Sequence, residues 1–284
     1  MLRKREETFM KKLITLIATL ILSIGCIFGL TACGAGEAKY VAKPIYGVEV
    51  EEYGLAVGKD STNKDAIITA MNAVIAEVAM DDIIAYYTAL SNDQTPTVTL
   101  NFADLSDNTA GTLNVYTCSG FEPYEFIDDS NKVIGADIYL MELVCEKLNM
   151  KINVVDMDFD GICGKVATED NAVGAAGITI TEERAATIAF SNAYYSSVQY
   201  IISTEDQAHV SLACLAGKKI GVQKGTTGAQ MVEDAIENGV LKGTGATMVE
   251  YDTGSVAFVA LKADKIDFIV IDELPAQKLV ANEK

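Results

Sequence analysis

The feature that most constrains the fold is a regular alternation of short apolar strands and helices, which runs from Leu113 to the end of the 284-residue chain. Apolar runs such as 113–116 and 219–222 alternate with stretches of helical periodicity such as 136–148 and 226–236. Such alternation produces mainly parallel sheets covered by helices. The pattern pauses once, at residues 203–206, and then repeats. The sequence therefore predicts an α/β fold with two lobes and a cleft between them.

Residues 39–111 follow a less regular pattern. We expect strands at 39–42 and 53–57, then a helix that begins after residues 61–63 and buries one face, and a second short helix over 81–90. Residues 91–111 are polar and rich in turn-forming residues. They are predicted to form a linker with one short strand at 98–102.

The N-terminus has the features of an export signal. Basic residues precede an apolar run over 13–30, which small residues and Cys33 follow. This order is typical of a secretory signal peptide. Leu30-Thr31-Ala32-Cys33 resembles a bacterial lipobox, so we expect residues 1–32 to be removed and Cys33 to carry a lipid anchor, with palmitate among its acyl chains. Cys26 is a poorer candidate because Ser23 stands where a lipobox has a branched apolar residue, and a retained membrane span is the weaker alternative.

Composition excludes several classes of function. A formal net charge of −18 argues against nucleic-acid binding, which needs a basic face. His209 is the only histidine, and the spacing of the cysteines fits no zinc site, so we predict no metal and no other cofactor. Export permits disulfides but the sequence does not pair them, and buried free thiols are the simpler expectation. The cysteines concerned are Cys118, Cys145, Cys163 and Cys214.

The segment 175–184, Ala-Ala-Gly-Ile-Thr-Ile-Thr-Glu-Glu-Arg, has the pattern of an anion-binding turn. A strand of small residues ends at Gly177, which lets a ligand approach the backbone. Thr181, followed by two glutamates, is typical of a helix N-cap. Arg184 follows one turn later with a planar group that matches a carboxylate. Taken alone, the segment fits an ordinary strand-to-helix turn with a surface arginine equally well.

Several motifs stand in the order of one known family. They are Phe121-Glu122-Pro123-Tyr124-Glu125-Phe126, Gly135-Ala136-Asp137-Ile138, Met157-Asp158-Phe159-Asp160-Gly161, the segment 177–184, Phe190-Ser191 with Tyr194-Tyr195, the segment 221–227 and Ile271-Asp272-Glu273. From Leu113 onward the chain resembles the family 3 extracellular solute-binding proteins, the amino-acid receptors of ABC importers. The resemblance implies a periplasmic-binding-protein-like (type II) fold whose two lobes close on a ligand. It also implies a permease and an ATPase as partners.

The resemblance breaks at Lys284, where family members continue with a strand, a hinge crossing and two closing helices. Residues 51–59 resemble that strand and residues 66–90 resemble those helices. We therefore predict a circular permutation, in which the linker 91–111 joins the former termini. The alternative is a truncated receptor preceded by an unrelated pair of helices.

The predicted domain boundaries follow from this arrangement. Residues 1–32 are the signal peptide, and residues 33–48 are a lipid-anchored spacer plus a strand of lobe 2. Lobe 1 spans 49–202, made of the permuted segment 49–90, the linker 91–111 and the segment 112–202. Lobe 2 spans 203–284.

A cleft that binds a free amino acid must replace the hydration of a carboxylate and an ammonium. Arg184 can hold the carboxylate with two parallel hydrogen bonds, with Thr179 and the backbone near Gly177 completing the cradle. Asp272, at the end of a predicted strand, is placed to take the ammonium or to cap the next helix. The helix that begins at 226 offers further donors from lobe 2, the groups of Thr226 and Thr227.

The remaining candidate site residues come from the resemblance. It implies that Gln223 lines the cleft and that Phe121 and Phe159 form apolar walls around the ligand side chain. Cys118 departs from the pattern, because receptors for cationic amino acids often have an acid there. A thiol is neutral at pH 7, so we expect a neutral polar or small amino acid, a sulfur-containing one included.

Two other functions compete with transport. Some relatives of the family are enzymes, and Glu125, Asp158 and Asp160 are available carboxylates, although no paired acid and base is evident. A sensor is the third hypothesis. We expect a non-enzymatic receptor outside the cytoplasm, held at the membrane through Cys33.

Overall fold

The computed structural model describes residues 39–207 and 211–281. The predicted signal peptide, Cys33 and His209 lie outside these residues. The strands are β1 (Tyr40–Pro44), β2 (Glu51–Tyr53), β3 (Ala56–Gly58), β4 (Thr112–Thr117), β5 (Phe126–Ile127), β6 (Val133–Ile134), β7 (Lys151–Asp156), β8 (Ala172–Gly174), β9 (Ile188–Phe190), β10 (Tyr195–Ser197), β11 (Gln199–Thr204), β12 (Lys219–Gln223), β13 (Thr247–Tyr251) and β14 (Phe268–Asp272).

Helices follow half of these strands, including β12, β13 and β14, where the alternation is regular. They are α1 (Lys64–Glu77), α2 (Met80–Ser91), α3 (Ala136–Leu148), α4 (Phe159–Thr168), α5 (Glu182–Ala185), α6 (Thr227–Glu237), α7 (Gly254–Lys262) and α8 (Glu273–Ala281). Two short 3-10 helices, Glu205–Gln207 and Leu212–Leu215, flank the pause between the two blocks.

Lobe 1 is built on a five-stranded sheet in the order β7-β4-β8-β3-β9. β4 runs parallel to β7 and β8, whereas β3 inserts antiparallel between β8 and β9. Helix α1 packs against α3 on one face of the sheet, and α4 covers the other face. Residues 51–91, which precede the first α/β block in sequence, thus contribute a central strand and two helices to the same core.

Lobe 2 is built on a second five-stranded sheet in the order β1-β11-β14-β12-β13. β12 runs parallel to β13 and β14, and β1 and β11 add two antiparallel strands at one edge. Helix α6 packs on one face, and α7 and α8 pack on the other. The carboxyl ends of β12 and β14 point toward lobe 1, where α/β sheets commonly bind ligands.

The two lobes are joined by a two-stranded ribbon in which β2 pairs antiparallel with β10. Because each strand of this ribbon leads from one sheet to the other, the two crossings of the chain run side by side. The strand predicted as continuous at 53–57 is broken here into β2 and β3, since the chain leaves the ribbon and enters the sheet of lobe 1. The predicted boundary at residue 202 lies inside β11, which begins lobe 2 at Gln199.

Residues 92–111 contain no helix or strand, so the short strand predicted at 98–102 is wrong. The segment packs through side chains instead. Phe102 makes edge contacts with Tyr86 of α2 and Tyr139 of α3, and the Tyr139 hydroxyl donates to the Asn101 carbonyl at 2.9 Å. Its neighbours are helices, which offer no strand edge for pairing.

The cysteines Cys118, Cys145, Cys163 and Cys214 are free thiols. Across residues 39–207 and 211–281, no group of three or more histidine, cysteine or acidic side chains is placed to hold a metal ion. None of the helices in these two ranges has the length and apolar character needed to cross a membrane.

Candidate ligand-binding cleft

A pocket lies where the two lobes meet, at the carboxyl ends of β12 and β14. Nine of the ten residues predicted to contact a ligand line it, together with Glu125 and Ala176. The lining residues are Phe121, Glu125, Phe159, Ala176, Gly177, Thr179, Arg184, Gln223, Thr226, Thr227 and Asp272. The tenth, Cys118, is buried behind Gln223, whose Nε2 donates to Cys118 Sγ at 3.6 Å. The thiol is therefore not part of the pocket wall.

Arg184 bridges the lobes through backbone carbonyls. Its Nη1 donates to the Thr179 carbonyl at 2.9 Å in lobe 1, and its Nη2 donates to the Gly225 carbonyl at 3.0 Å in lobe 2. The guanidinium also lies 5.4 Å from the ring centre of Phe159. Burial lowers the pKa of Arg184 from its usual value. No carboxylate among the described residues pairs with this cation, which leaves its charge for an anion in the pocket.

The turn before Arg184 takes its shape from Gly177 and Thr181. Gly177 has φ +54°, and a Cβ there would come within 2.6 Å of the Phe121 ring. The Gly177 N–H donates to Asp137 Oδ2 at 2.9 Å, and the Tyr194 hydroxyl donates to the same oxygen at 2.7 Å. Thr181 caps α5, as predicted, by accepting from the Arg184 N–H at 3.1 Å. Asp137, whose pKa burial raises to about 6, is thus the support of the turn and was noted in the sequence only as part of a helix start.

Lobe 2 contributes the start of α6. Thr226 is the N-cap, and its Oγ1 accepts from the Ala229 N–H at 3.1 Å and donates to the Gln223 carbonyl at 2.8 Å. Thr227 is the first residue of the helix, and its hydroxyl lies 3.4 Å from that of Thr179. A helix N-terminus favours negative charge through its free N–H groups. This side of the pocket therefore suits an anion as well.

Asp272 ends β14 and lines the same pocket. Its Oδ1 accepts from the Tyr53 hydroxyl at 2.5 Å. Burial, and secondarily the charge of Glu51, raise the pKa of Asp272 to about 7. An ammonium beside this carboxyl would favour its ionised form.

Glu125 lines the pocket beside Phe121 and has no hydrogen-bond partner for either carboxyl oxygen. Its side chain is fully buried, and burial together with the charge of Asp137 raises its pKa well above the usual value. A buried carboxyl without a partner is costly. The sequence places it two residues after Pro123 in the loop that carries Phe121, and this proximity was the signal that sequence reasoning did not use.

Glu51 of β2 is a second acid that sequence reasoning did not assign to the cleft. Its Oε2 accepts from the Thr179 hydroxyl and from the Thr227 hydroxyl, both at 2.8 Å. Its Oε1 accepts from Gln199 Nε2 at 3.3 Å. Glu51, on the crossing ribbon, thus contacts both lobe 1 and lobe 2.

The arrangement suits a small molecule with charges of both signs. Arg184 and the start of α6 favour an anion, and Asp272 favours a cation. Phe121 and Phe159 add aromatic surface between them. Hydrogen bonding from fixed groups of both lobes can replace the hydration of both charges.

The sequence of this chain is similar to the sequences of known solute-binding proteins. Residues 113–251 match the model of bacterial extracellular solute-binding proteins, family 3. A probable histidine-binding protein of Campylobacter jejuni is 32% identical over 186 residues, which are 65% of this chain and 69% of the relative. The ABC transporter arginine-binding protein 1 of Escherichia coli K12 is 26% identical over 160 residues, 56% of this chain and 63% of the relative. The chain thus spans about two thirds of the length of the curated relatives it matches.

The fold is similar to that of solved amino-acid-binding proteins. An ancestral arginine-binding protein bound to arginine matches with a TM-score of 0.55 and 37% identity, over 61% of this chain and 75% of that structure.

Proposed function

The chain belongs to the family 3 bacterial extracellular solute-binding proteins, and from this membership we propose that it is the substrate-binding component of an amino-acid ABC importer. It binds a free amino acid between its two lobes and delivers it to a permease that an ATPase drives. The observation that carries the proposal is the presence of Arg184 and Asp272 on the wall of one pocket between the lobes.

The α-carboxylate of the ligand binds Arg184 and the hydroxyl and N–H groups near Thr179 and Thr227. The α-ammonium binds Asp272, which the ligand's positive charge keeps ionised. Gly177 and Thr226 shape the two turns, and Gln223 lines the lobe 2 wall. The ligand side chain extends between the aromatic rings of Phe121 and Phe159. Lobe closure about the β2–β10 ribbon gives the permease a signal of occupancy.

The ligand side chain carries a positive charge, as in arginine. The expectation of a neutral ligand rested on Cys118, but that thiol lies behind Gln223. The acid that faces the pocket is Glu125, which lacks any partner for its two oxygens. A guanidinium supplies donors for both oxygens and a charge that favours the carboxylate. The relatives described as arginine- and histidine-binding proteins support this choice.

Titration calorimetry with the twenty amino acids, and with citrulline as a neutral isostere of arginine, tests this function. We expect the parent protein to bind arginine at least tenfold more tightly than citrulline, since a buried charged hydrogen bond is worth about 1.5–3 kcal/mol. The variant Glu125→Gln should lose this preference. Because the ligand must displace the proton from Glu125, arginine affinity of the parent should rise with pH, and it should do so less in the variant.

Asp129→Asn, at an exposed acid in the turn between β5 and β6, is the matched control and should bind as the parent does. Equal affinity of the parent for arginine and citrulline would restore the expectation of a neutral ligand. Failure of all twenty amino acids to bind would contradict the receptor function itself.

We also propose that the chain is a circular permutation of the family's usual order. In support, β3 pairs with β8 and β9 inside lobe 1, and α1 packs against α3. Sequence alignments that end after about two thirds of a relative are what a permuted chain produces. The arrangement makes lobe 1 continuous in sequence from β3 to β9.

A rearranged chain with residues 112–284 followed directly by 39–90 tests the permutation. It should fold and bind arginine with the affinity of the parent, because the contacts of the sheets and the cleft form in both orders. Its Tm should be somewhat lower, because the contacts of Phe102 and Asn101 are lost. The chain 112–284 alone should not fold stably, since it lacks β3 and α1. Stable folding of that shorter chain would favour the truncated receptor instead.

Export and lipid attachment at Cys33 complete the proposal for a receptor at the outer face of the cytoplasmic membrane. The lipobox-like sequence Leu30-Thr31-Ala32-Cys33 supports this attachment. Labelled palmitate should enter the full chain expressed in bacteria but not its Cys33→Ser variant. Equal labelling of the Cys26→Ser variant and the parent would exclude the competing position, whereas loss of label there would favour it.

Enzymatic activity on an amino-acid-like substrate is a second candidate, because Glu125 is a buried acid with a raised pKa in a ligand pocket. No base among the described residues hydrogen-bonds with it. Recovery of the bound compound unchanged after prolonged incubation would favour transport, and its conversion would favour catalysis.

A further inference from the structure

Glu51 holds the groups that the proposed function assigns to the ligand. Its Oε2 accepts hydrogen bonds from the hydroxyls of Thr179 and Thr227, each at 2.8 Å. These hydroxyls belong to opposite lobes and lie 3.4 Å from each other. One carboxylate oxygen therefore links the two lobes at the point where a ligand carboxylate would bind.

The position of Glu51 in the chain suits a conformational role. It lies on β2 of the crossing ribbon, opposite Ser197 of β10, and its second oxygen accepts from Gln199, the first residue of β11. Motion of the lobes about this ribbon would carry Thr179 and Thr227 apart while Glu51 stays at the axis. The bonds from both hydroxyls can form together only when the lobes are closed.

Several charged and polar groups lie near the Glu51 carboxyl group. The start of α6, where Thr227 is the first residue, stabilises negative charge. Arg184 lies near enough for the two charges to interact, and so does Asp272. Arg184 has no carboxylate bound to it, and Glu51 is one of the nearby acids, with Asp272 and Glu183, whose charges partly compensate it.

We propose that Glu51 is an intramolecular competitor of the ligand, a carboxylate of the protein that latches the lobes together by occupying Thr179 and Thr227. This proposal rests on the proposed function, which assigns the hydroxyls of Thr179 and Thr227 to the ligand carboxylate. A ligand carboxylate must displace Glu51 from the two hydroxyls before it can bind them. A latched molecule is closed and does not admit ligand.

The fraction of molecules that can bind ligand determines whether removal of the latch tightens or weakens binding. When only a fraction of the molecules is competent to bind, the apparent dissociation constant is the intrinsic constant divided by that fraction. Removing the latch raises the fraction and tightens binding. Neutralising Glu51 also relieves its repulsion of the ionised form of Asp272, which acts in the same direction.

Glu51→Gln tests the latch, because it preserves the size of the side chain and removes its charge. Glu52→Gln is the matched control, since Glu52 is the next residue on β2 and its side chain is exposed. Arginine, or whichever amino acid the parent binds, is titrated into the parent and both variants by calorimetry. Small-angle X-ray scattering then measures the radius of gyration of each protein after ligand is removed by unfolding and refolding.

We expect Glu51→Gln to bind the amino acid on the order of tenfold more tightly than the parent, as loss of charged hydrogen bonds implies. Without ligand, its radius of gyration should exceed that of the parent and fall when ligand is added. Glu52→Gln should match the parent in both measurements. A melting curve with a single transition confirms that each variant is folded.

Weaker or unchanged binding by Glu51→Gln would overturn the proposal, and weaker binding would make Glu51 a second acceptor for the ligand ammonium. If the parent and the variants bind no amino acid, the proposed function fails. In that case scattering still tests the latch. An equal radius of gyration for Glu51→Gln and the parent would exclude it.

Discussion

The guanidinium of Arg184, partly buried where the two lobes meet, is the interaction on which the geometry of the cleft depends. A buried charge is stable only with compensating hydrogen bonds, and here the carbonyls of Thr179 and Gly225 supply them from opposite lobes. The same two bonds fix the distance between the turn of lobe 1 and the turn of lobe 2. They leave the charge itself without a carboxylate bound to it, while Glu51 accepts from the nearby hydroxyls of Thr179 and Thr227, and Asp272 lines the pocket at the end of β14. The protein's own groups thus equip the cleft for an anion and for a cation.

Much of the fold could be predicted from the sequence because strand and helix periodicities are local properties. The alternation after Leu113 indicated the α/β blocks, and the apolar face of α1 indicated a buried helix. Two features could not be predicted in this way. Periodicity does not show that a strand leaves one sheet for another, so the break between β2 and β3 was missed and the boundary at 202 fell within β11. It also does not show whether an edge is available for pairing, and residues 98–102, which lie against helices, form no strand.

The residues of the site also differ in whether the sequence alone could identify them. Arg184, Thr179 and Gly177 stand in one segment whose order carries chemical meaning, so sequence reasoning could bring them together. Glu51 could not be identified, and Glu125 was only one of several available carboxylates, because in sequence an acid of the cleft looks like any acid of the surface. The distinction lies in burial and partners: Glu125 has no hydrogen-bond donor for its oxygens, and Glu51 takes its donors from both lobes. Together they make the pocket more acidic than a neutral ligand requires, which is why the proposed ligand is cationic.

Recognition of both charged groups of one amino acid is the centre of this account, and a thermal-shift series tests it most directly. The protein is melted in the presence of arginine, of agmatine, which lacks the carboxylate, and of the des-amino analogue, which lacks the ammonium. The account predicts that arginine raises Tm and that neither analogue does so at the same concentration, because each leaves Arg184 or Asp272 without its partner. A rise in Tm with either analogue that equals the rise with arginine would contradict it.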